Sequence, residues 1–137
     1  MAQPLKLEVV TPTKVLLSTE AEYITVPGID GELGILDSHI PLLTTLRSGV
    51  LSYVAEGTTK LLAVHLGYAE VLDDTVTVLA DQAEFAEDID LDRAKEAQKT
   101  AEAGLADTFN ADDEDQKRFQ ELQNKLARSI TRQQIVK

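Results

Sequence analysis

The feature that constrains the fold most is a change of sequence pattern near residue 88. Before it, short apolar runs such as Leu5, Leu7 and Val9 alternate with polar residues, and turn residues separate the runs. After it, Ala, Glu, Lys, Gln and Arg dominate, which is typical of helices. We therefore expect an α+β chain, mostly β, with an N-terminal antiparallel β-sandwich of about eight to ten strands in residues 1–88. A C-terminal two-helix hairpin is expected in residues 89–137.

The charge is distributed very unevenly along the chain, whose formal net charge is −11. Residues 1–89 carry four basic and fourteen acidic side chains, whereas the last 21 residues carry six basic and one acidic. Nucleic-acid binding needs a basic face to neutralise phosphates, so the sandwich is not expected to bind nucleic acid. The basic tail favours an acidic protein partner.

The remaining composition narrows the protein class. There is no cysteine, so disulfides, thiolate nucleophiles and cysteine zinc sites are excluded. The sequence has no run of 18 apolar residues and does not begin like a signal peptide, so a cytoplasmic chain without direct membrane insertion is expected.

Three glycines and a proline interrupt an apolar stretch between residues 28 and 43. Gly28, Gly31 and Gly34 recur every three residues and permit positive φ or close backbone approach, while Pro41 cannot donate to a β-ladder. We expect this stretch to form a surface loop that is presented to a partner.

The helical region carries its own start and stop signals. The first helix is expected to begin after Asp90 as N-cap and to end at Gly104, with Ala94, Ala97 and Ala101 as a stripe of small residues. The second helix is expected to follow an acidic start at residues 112–115. Its expected apolar stripe consists of Phe119, Leu122, Leu126 and Ile130.

No catalytic or metal-binding constellation emerges from the residues. His39 and His65 are the only histidines, and neither has carboxylates at a recognised metal-ligand spacing. His65 is expected to be packed or edge-facing, and His39 to stabilise a turn or contact a partner. The glycine spacing does not match a Walker A loop, and no nucleophile elbow is present. We expect a chain that is not an enzyme and has no metal.

Two stretches resemble a known family. The order Gly31-Glu32-Leu33-Gly34-Ile35 and then Ser38-His39-Ile40-Pro41 resembles the signature of epsilon subunits of bacterial F-type ATP synthases, with Asp37-Ser38 where the commonest form has Pro-Gly. The similarity continues through residues 76–81 and 89–94 and covers essentially the whole chain.

The resemblance implies a non-catalytic rotor subunit that couples the c-ring to the catalytic head during ATP synthesis and proton transport. The implied partners are the gamma subunit, the c-ring and the alpha and beta subunits, at the cytoplasmic face of the bacterial inner membrane. The implied c-ring and gamma contacts are Gly31, Glu32, His39 and Leu42. Mobile C-terminal helices would inhibit ATP hydrolysis through Lys125, Arg128 and Arg132.

The segment that begins at Ile89 has two possible roles. Asp90 can simply cap a helix. Alternatively, the resemblance implies a regulatory ATP site, the only cofactor expected, which would make the chain an ATP-sensing regulator. That site would comprise Glu84, Ile89, Asp90, Arg93, Ala94, Arg128 and Arg132. Thr100 stands where nucleotide-binding relatives carry an arginine.

Overall fold

The computed structural model describes residues 4–38, 40–106 and 113–136, with the backbone alone for 113–115. Contacts divide the chain into two compact units, Met1–Phe85 and Ala86–Lys137. Each unit is described by itself below.

The first unit is built from β-strands, which confirms the expected fold class. Within the described residues it contains eight: β1 (Leu5–Val10), β2 (Val15–Ala21), β3 (Tyr23–Gly28), β4 (Gly31–Ile35), β5 (Leu42–Leu46), β6 (Gly49–Ala55), β7 (Thr58–Leu72) and β8 (Thr75–Phe85). Their order is β2-β1-β8-β7-β5-β3-β4, and β6 pairs with β3 and β7. The pairing is antiparallel except between β1 and β8, which run parallel.

The long strand β7 bends in its middle and changes partner there. Residues 58–64 of β7 pair with β6, and residues 67–71 pair with β5, while β8 follows β7 on its other side. The bend lies at Leu66 and Gly67, whose φ angles are 59° and 133°. Strands that switch sheets through such bends form the corners of sandwiches.

The core consists of the inward-facing residues that the alternation predicted. Leu5, Leu7 and Val9 of β1 are fully buried, and so are Val76 and Val78 of β8. Burying an aliphatic side chain of this size stabilises a fold by about 1.5–3 kcal/mol. The hydrophobic core therefore fixes which face of each strand points outward.

The second unit opens with a short 3₁₀ turn, Ala86–Asp88, followed by α1 (Leu91–Ala106) and α2 (Asp113–Ile135). The predicted N-cap is confirmed: the backbone N–H of Arg93 donates to Asp90 Oδ1 at 3.1 Å, and the N–H of Ala94 donates to the Asp90 carbonyl at 3.0 Å. Such a side chain satisfies an amide that the first helical turn would otherwise leave unpaired.

Gly104 does not end the first helix, so that prediction was wrong. α1 continues to Ala106, and a Cβ added at Gly104 would lie 3.0 Å from Leu122 Cδ1. The glycine therefore lets α1 and α2 approach closely. Farther along the hairpin, the Gln133 side-chain amide donates to Gln98 Oε1 at 2.6 Å.

The expected apolar stripe of α2 was wrong at its ends. Phe119 and Ile130 are 40% and 38% exposed, whereas Leu122 and Leu126 are half-buried. Among the described side chains of α2, the buried ones are instead Ser129, Thr131 and Ile135. Ser129 tolerates burial because its hydroxyl donates to the Leu126 carbonyl at 2.8 Å.

In α1, Ala94 and Ala101 are buried and Ala97 is half-buried. The acidic side chains expected at 112–115 lie outside the described residues.

Candidate functional site

The β3–β4 hairpin forms a tight turn that projects from the sandwich. Ile29 and Asp30 connect the strands, and Ile29 is 60% exposed. Gly28 is buried, and a Cβ there would lie 2.7 Å from the Gly31 carbonyl oxygen, so only glycine allows this close return. Gly31 has a φ of 134° and Glu32 is exposed. The predicted contact residues Gly31 and Glu32 therefore stand beside an exposed turn.

The segment between β4 and β5 is the second part of the predicted loop. Ser38 adopts a φ of 59°, and its backbone N–H donates to Asp74 Oδ1 at 2.6 Å. Leu36 and Ile40 on either side of it are 56% and 74% exposed. Leu42 opens β5 and is half-buried. His39 lies outside the described residues.

The predicted contact residues fall at two opposite ends of strand β5. Gly28 pairs with Leu46 at one end, next to the Gly31 turn, whereas Leu42 pairs with Val71 at the other end. Four residues of antiparallel strand separate these ends by about 14 Å. The predicted contact residues Gly31 and Glu32 thus lie near one end of β5, and Leu42 lies at the other.

Several large apolar side chains lie on the outer face of β5, β7 and β8, with Glu70 among them. The register places Tyr68 opposite Leu79 and Leu43 opposite Glu70, so their side chains share one face. Four members of this outer apolar face are about half exposed or more: Leu43 at 67%, Tyr68 at 54%, Leu79 at 52% and Leu72 at 47%. Sequence reasoning did not single out this face, although the exposed positions of β8 could have been read from its alternation.

Four residues of the implied ATP site stand at the start of α1. Asp90 caps the helix through Oδ1, Arg93 is exposed in the first turn, Ala94 is buried and Ile89 is half-buried. The capping reading therefore accounts for Asp90, and helix packing accounts for Ala94.

The basic residues of the implied inhibitory tail share one helix. Lys125 is exposed, and Arg128 and Arg132 are half-buried on α2. Arg128 and Arg132 are four residues apart and hence neighbours on the helix surface. Ala86–Lys137 contributes all of these groups, whereas Glu84 belongs to the sandwich unit.

Glu84 forms part of a polar cluster that sequence reasoning missed. His65 is 1% exposed, and its Nε2 lies 3.1 Å from Glu84 Oε1 while its Nδ1 lies 3.4 Å from the Ser48 hydroxyl. An ionised carboxylate only accepts hydrogen bonds, so Nε2 of His65 donates to Glu84. In neutral histidine, Nδ1 then accepts from Ser48. The nineteen-residue separation of His65 and Glu84 hides this contact from local pattern reading.

None of the helices within the described residues is both long and apolar enough to cross a membrane.

Comparison with known proteins gives a consistent result. Residues 4–86 match the family model of the ATP synthase delta/epsilon chain beta-sandwich domain. An ATP synthase epsilon chain of Nitratidesulfovibrio vulgaris is 52% identical over 106 residues, covering 77% of this chain and 79% of the relative. That of Syntrophobacter fumaroxidans is 43% identical over 135 residues, covering 98% and 97%.

A solved structure shares the fold. A chain of the Euglena gracilis mitochondrial ATP synthase, from the OSCP/F1/c-ring assembly, superposes with a TM-score of 0.79 at 21% identity, covering 93% of this chain and 78% of that one. The family model spans more than half of the chain, and the Syntrophobacter relative matches it almost end to end. The chain therefore belongs to the family of ATP synthase epsilon chains, a non-catalytic subunit of that complex.

Proposed function

We propose that this chain is a central-stalk subunit of the proton-translocating F-type ATP synthase that couples rotation of the c-ring to the catalytic head. The observation that carries the proposal is the outer apolar face of Leu43, Tyr68, Leu72 and Leu79. Large apolar side chains that cluster on the surface of a small domain mark a protein interaction site. Together with the family membership, this face supports docking onto the gamma subunit, at the cytoplasmic side of the bacterial inner membrane.

The c-ring contact is assigned to the β3–β4 turn. Gly31 and Glu32 are exposed there, and Ile29 adds an apolar tip. The opposite end, where Leu42 begins β5 and where His39 lies in the sequence, is assigned to the edge of the gamma contact. Because the two ends lie about 14 Å apart along β5, the sandwich can touch two subunits at once.

Rebinding to an ATP synthase complex depleted of its epsilon chain tests the docking face. Leu79→Glu places a charge on the outer apolar face, opposite Tyr68, and Val15→Glu makes the same change at an edge-strand residue that is 62% exposed. We expect Leu79→Glu to weaken rebinding at least about tenfold and Val15→Glu to leave it unchanged, because desolvating an unpaired carboxylate in an interface is costly. Equal rebinding of both variants would contradict the assigned face.

The C-terminal helices are proposed to inhibit ATP hydrolysis. Lys125, Arg128 and Arg132 give the second half of α2 a basic character, which suits an acidic segment of the catalytic beta subunit. Arg128→Ala combined with Arg132→Ala is expected to raise hydrolysis by the reassembled complex. Lys117→Ala combined with Arg118→Ala removes the same charge from the exposed first half of α2 and serves as the control. Unchanged hydrolysis in the first double variant would contradict the mechanism.

A second candidate function is ATP sensing by the helical unit. The exposed Arg93, in the first turn of α1, is the observation that favours it, because a free guanidinium suits phosphate binding. The phosphate-binding chemistry would come from the cationic side chains of Arg93, Arg128 and Arg132, whereas Glu84 contacts His65 and Asp90 contacts the Arg93 amide.

Calorimetric titration of the isolated chain with ATP tests this candidate. Saturable binding that Arg93→Ala abolishes and Arg118→Ala preserves would support a regulatory ATP site. Absence of binding at millimolar ATP would contradict this candidate and leave helix capping as the role of the segment that begins at Ile89.

A further inference from the structure

The hairpin turn between β7 and β8 has an unusual composition. Leu72 pairs with Thr75, so Asp73 and Asp74 are the two residues of the turn, and their φ angles are 50° and 59°. Positive φ at both positions corresponds to a type I′ turn, whose second position strongly favours glycine. Asp74 therefore occupies a site where glycine would fit with less conformational strain.

The Asp74 side chain makes a contact that glycine could not make. Its Oδ1 accepts the backbone N–H of Ser38 at 2.6 Å, across 36 residues of sequence. Its own backbone carbonyl accepts the N–H of Lys6 at 2.9 Å, which ties the turn to β1. A carboxylate that accepts an amide makes one of the stronger hydrogen bonds in proteins.

The partner of this bond is itself strained. Ser38 has a φ of 59°, a conformation that costs a non-glycine residue free energy unless its surroundings impose it. The neighbouring apolar side chains of Leu36 and Ile40 are among the most exposed in the described chain. Holding the Ser38 backbone thus determines where these two side chains are presented.

We propose that Asp74 is a positioning residue: its carboxylate holds the Ser38 backbone in the conformation that presents Leu36 and Ile40 to the gamma subunit. This inference rests on the proposed function, because it assumes that the segment around Ser38 contacts the gamma subunit. Asp74 strains the turn, but its side chain orders the docking segment, which glycine at this position could not do.

The proposal predicts that stability and docking respond differently. Asp74→Gly relaxes the β7–β8 turn but also removes the hydrogen bond to Ser38, so the two effects oppose each other and the urea midpoint of the sandwich should change little. The same variant releases Ser38, so its amide should exchange with solvent about tenfold faster or more, and rebinding should weaken by a similar factor. Asp74→Asn keeps an acceptor oxygen and tolerates positive φ, so it should restore much of both properties.

The experiment compares the full chain with its Asp74→Gly, Asp74→Asn and Asp73→Gly variants. Asp73→Gly relaxes the same turn and leaves the Asp74 carboxylate in place, so it should dock like wild type. Ser38 exchange is followed by NMR, stability by urea unfolding, and docking by rebinding to the epsilon-depleted ATP synthase complex.

The outcomes separate this inference from the proposed function. Faster Ser38 exchange and weaker rebinding in Asp74→Gly, without loss of stability, would support the proposal. Wild-type rebinding by Asp74→Gly, or a loss of rebinding that only follows a loss of stability, would overturn it. If the wild-type chain itself does not rebind, the proposed function fails and the docking role of Asp74 falls with it. Unchanged Ser38 exchange would refute the positioning contact independently of any partner.

Discussion

Gly67 at the bend of β7 provides the sharpest stability test, because Gly31 offers a matched control. The two glycines have φ angles of 133° and 134°, so alanine would have to adopt an unfavourable positive φ at either site. A Cβ at Gly67 would lie 1.9 Å from the Leu79 carbonyl oxygen and 2.8 Å from Ala80 Cα, whereas a Cβ at Gly31 meets no atom within 4 Å. The comparison therefore isolates the steric cost of the bend.

The size of the steric cost of Gly67→Ala follows from how far β8 must move. Ordinary van der Waals contact begins near 3.4 Å, so the β8 backbone beside Gly67 would have to retreat by about 1.5 Å. That is roughly a third of the spacing between strands, which is enough to break ladder hydrogen bonds. The shared backbone cost is about 1–3 kcal/mol. In addition to this backbone cost, Gly67→Ala should lower the free energy of unfolding by about 2 kcal/mol or more. The reason is the loss of two ladder hydrogen bonds, each of which contributes about 1 kcal/mol.

Urea unfolding monitored by tyrosine fluorescence measures this difference. The chain has no tryptophan, and its three tyrosines, Tyr23, Tyr53 and Tyr68, all lie in the sandwich, so the signal reports on that unit alone. A difference of 2 kcal/mol separates the two urea midpoints by about 1 M. Free energies of unfolding within about 0.5 kcal/mol of each other for Gly31→Ala and Gly67→Ala would refute the reasoning. A Gly67→Ala chain that fails to fold, beside a folded Gly31→Ala chain, is the extreme of the expected result.

Three further perturbations test individual contacts. Asp90→Ala removes the cap of α1 and should lower the stability of the helical unit by about 1 kcal/mol, seen in urea unfolding by far-UV circular dichroism, with Asp90→Asn nearly neutral. His65→Ala empties a buried site and removes the hydrogen bond between His65 and Glu84, which should lower the stability of the sandwich by about 2–4 kcal/mol, measured by tyrosine fluorescence; wild-type stability would contradict the contact. Gly104→Val should separate α1 from α2 and lower the helical unfolding midpoint, whereas the exposed Ala103→Val should cost only the difference in helix propensity, roughly 0.7 kcal/mol or less. Equal midpoints of those two valine variants would show that the helices do not approach closely at Gly104.

Local signals in the sequence predicted the features that depend on neighbouring residues. The strand alternation of β1 and β8 and the cap at Asp90 were predictable because period-two burial and N-capping each involve residues within a few positions. The same local analysis wrongly predicted that α1 ends at Gly104, because a glycine late in a helical segment is typical of a helix C-terminus. Its actual role, close approach to Leu122, depends on a residue in the other helix.

Contacts between residues that are far apart in the chain could not be predicted from the sequence. The contacts of His65 with Glu84 and of Ser38 with Asp74 join residues 19 and 36 positions apart, and their partners follow from strand register. The glycine-rich stretch was predicted to form one surface loop, which was wrong in part: strand β4 (Gly31–Ile35) divides it into two turns, because its backbone pairs with β3. In α2, burial of Ser129 and Thr131 in place of Phe119 reflects packing that overrides side-chain hydrophobicity.

The central claim, that this chain couples the rotor to the catalytic head, is tested most directly by reconstitution. The full chain is added to membranes whose ATP synthase has been depleted of its epsilon chain, and ATP-driven proton pumping is measured per ATP hydrolysed. The account predicts that the wild-type chain restores pumping and that Leu79→Glu at equal concentration does not. Pumping that stays at the depleted level despite a folded wild-type chain, or that Leu79→Glu restores fully, would contradict it.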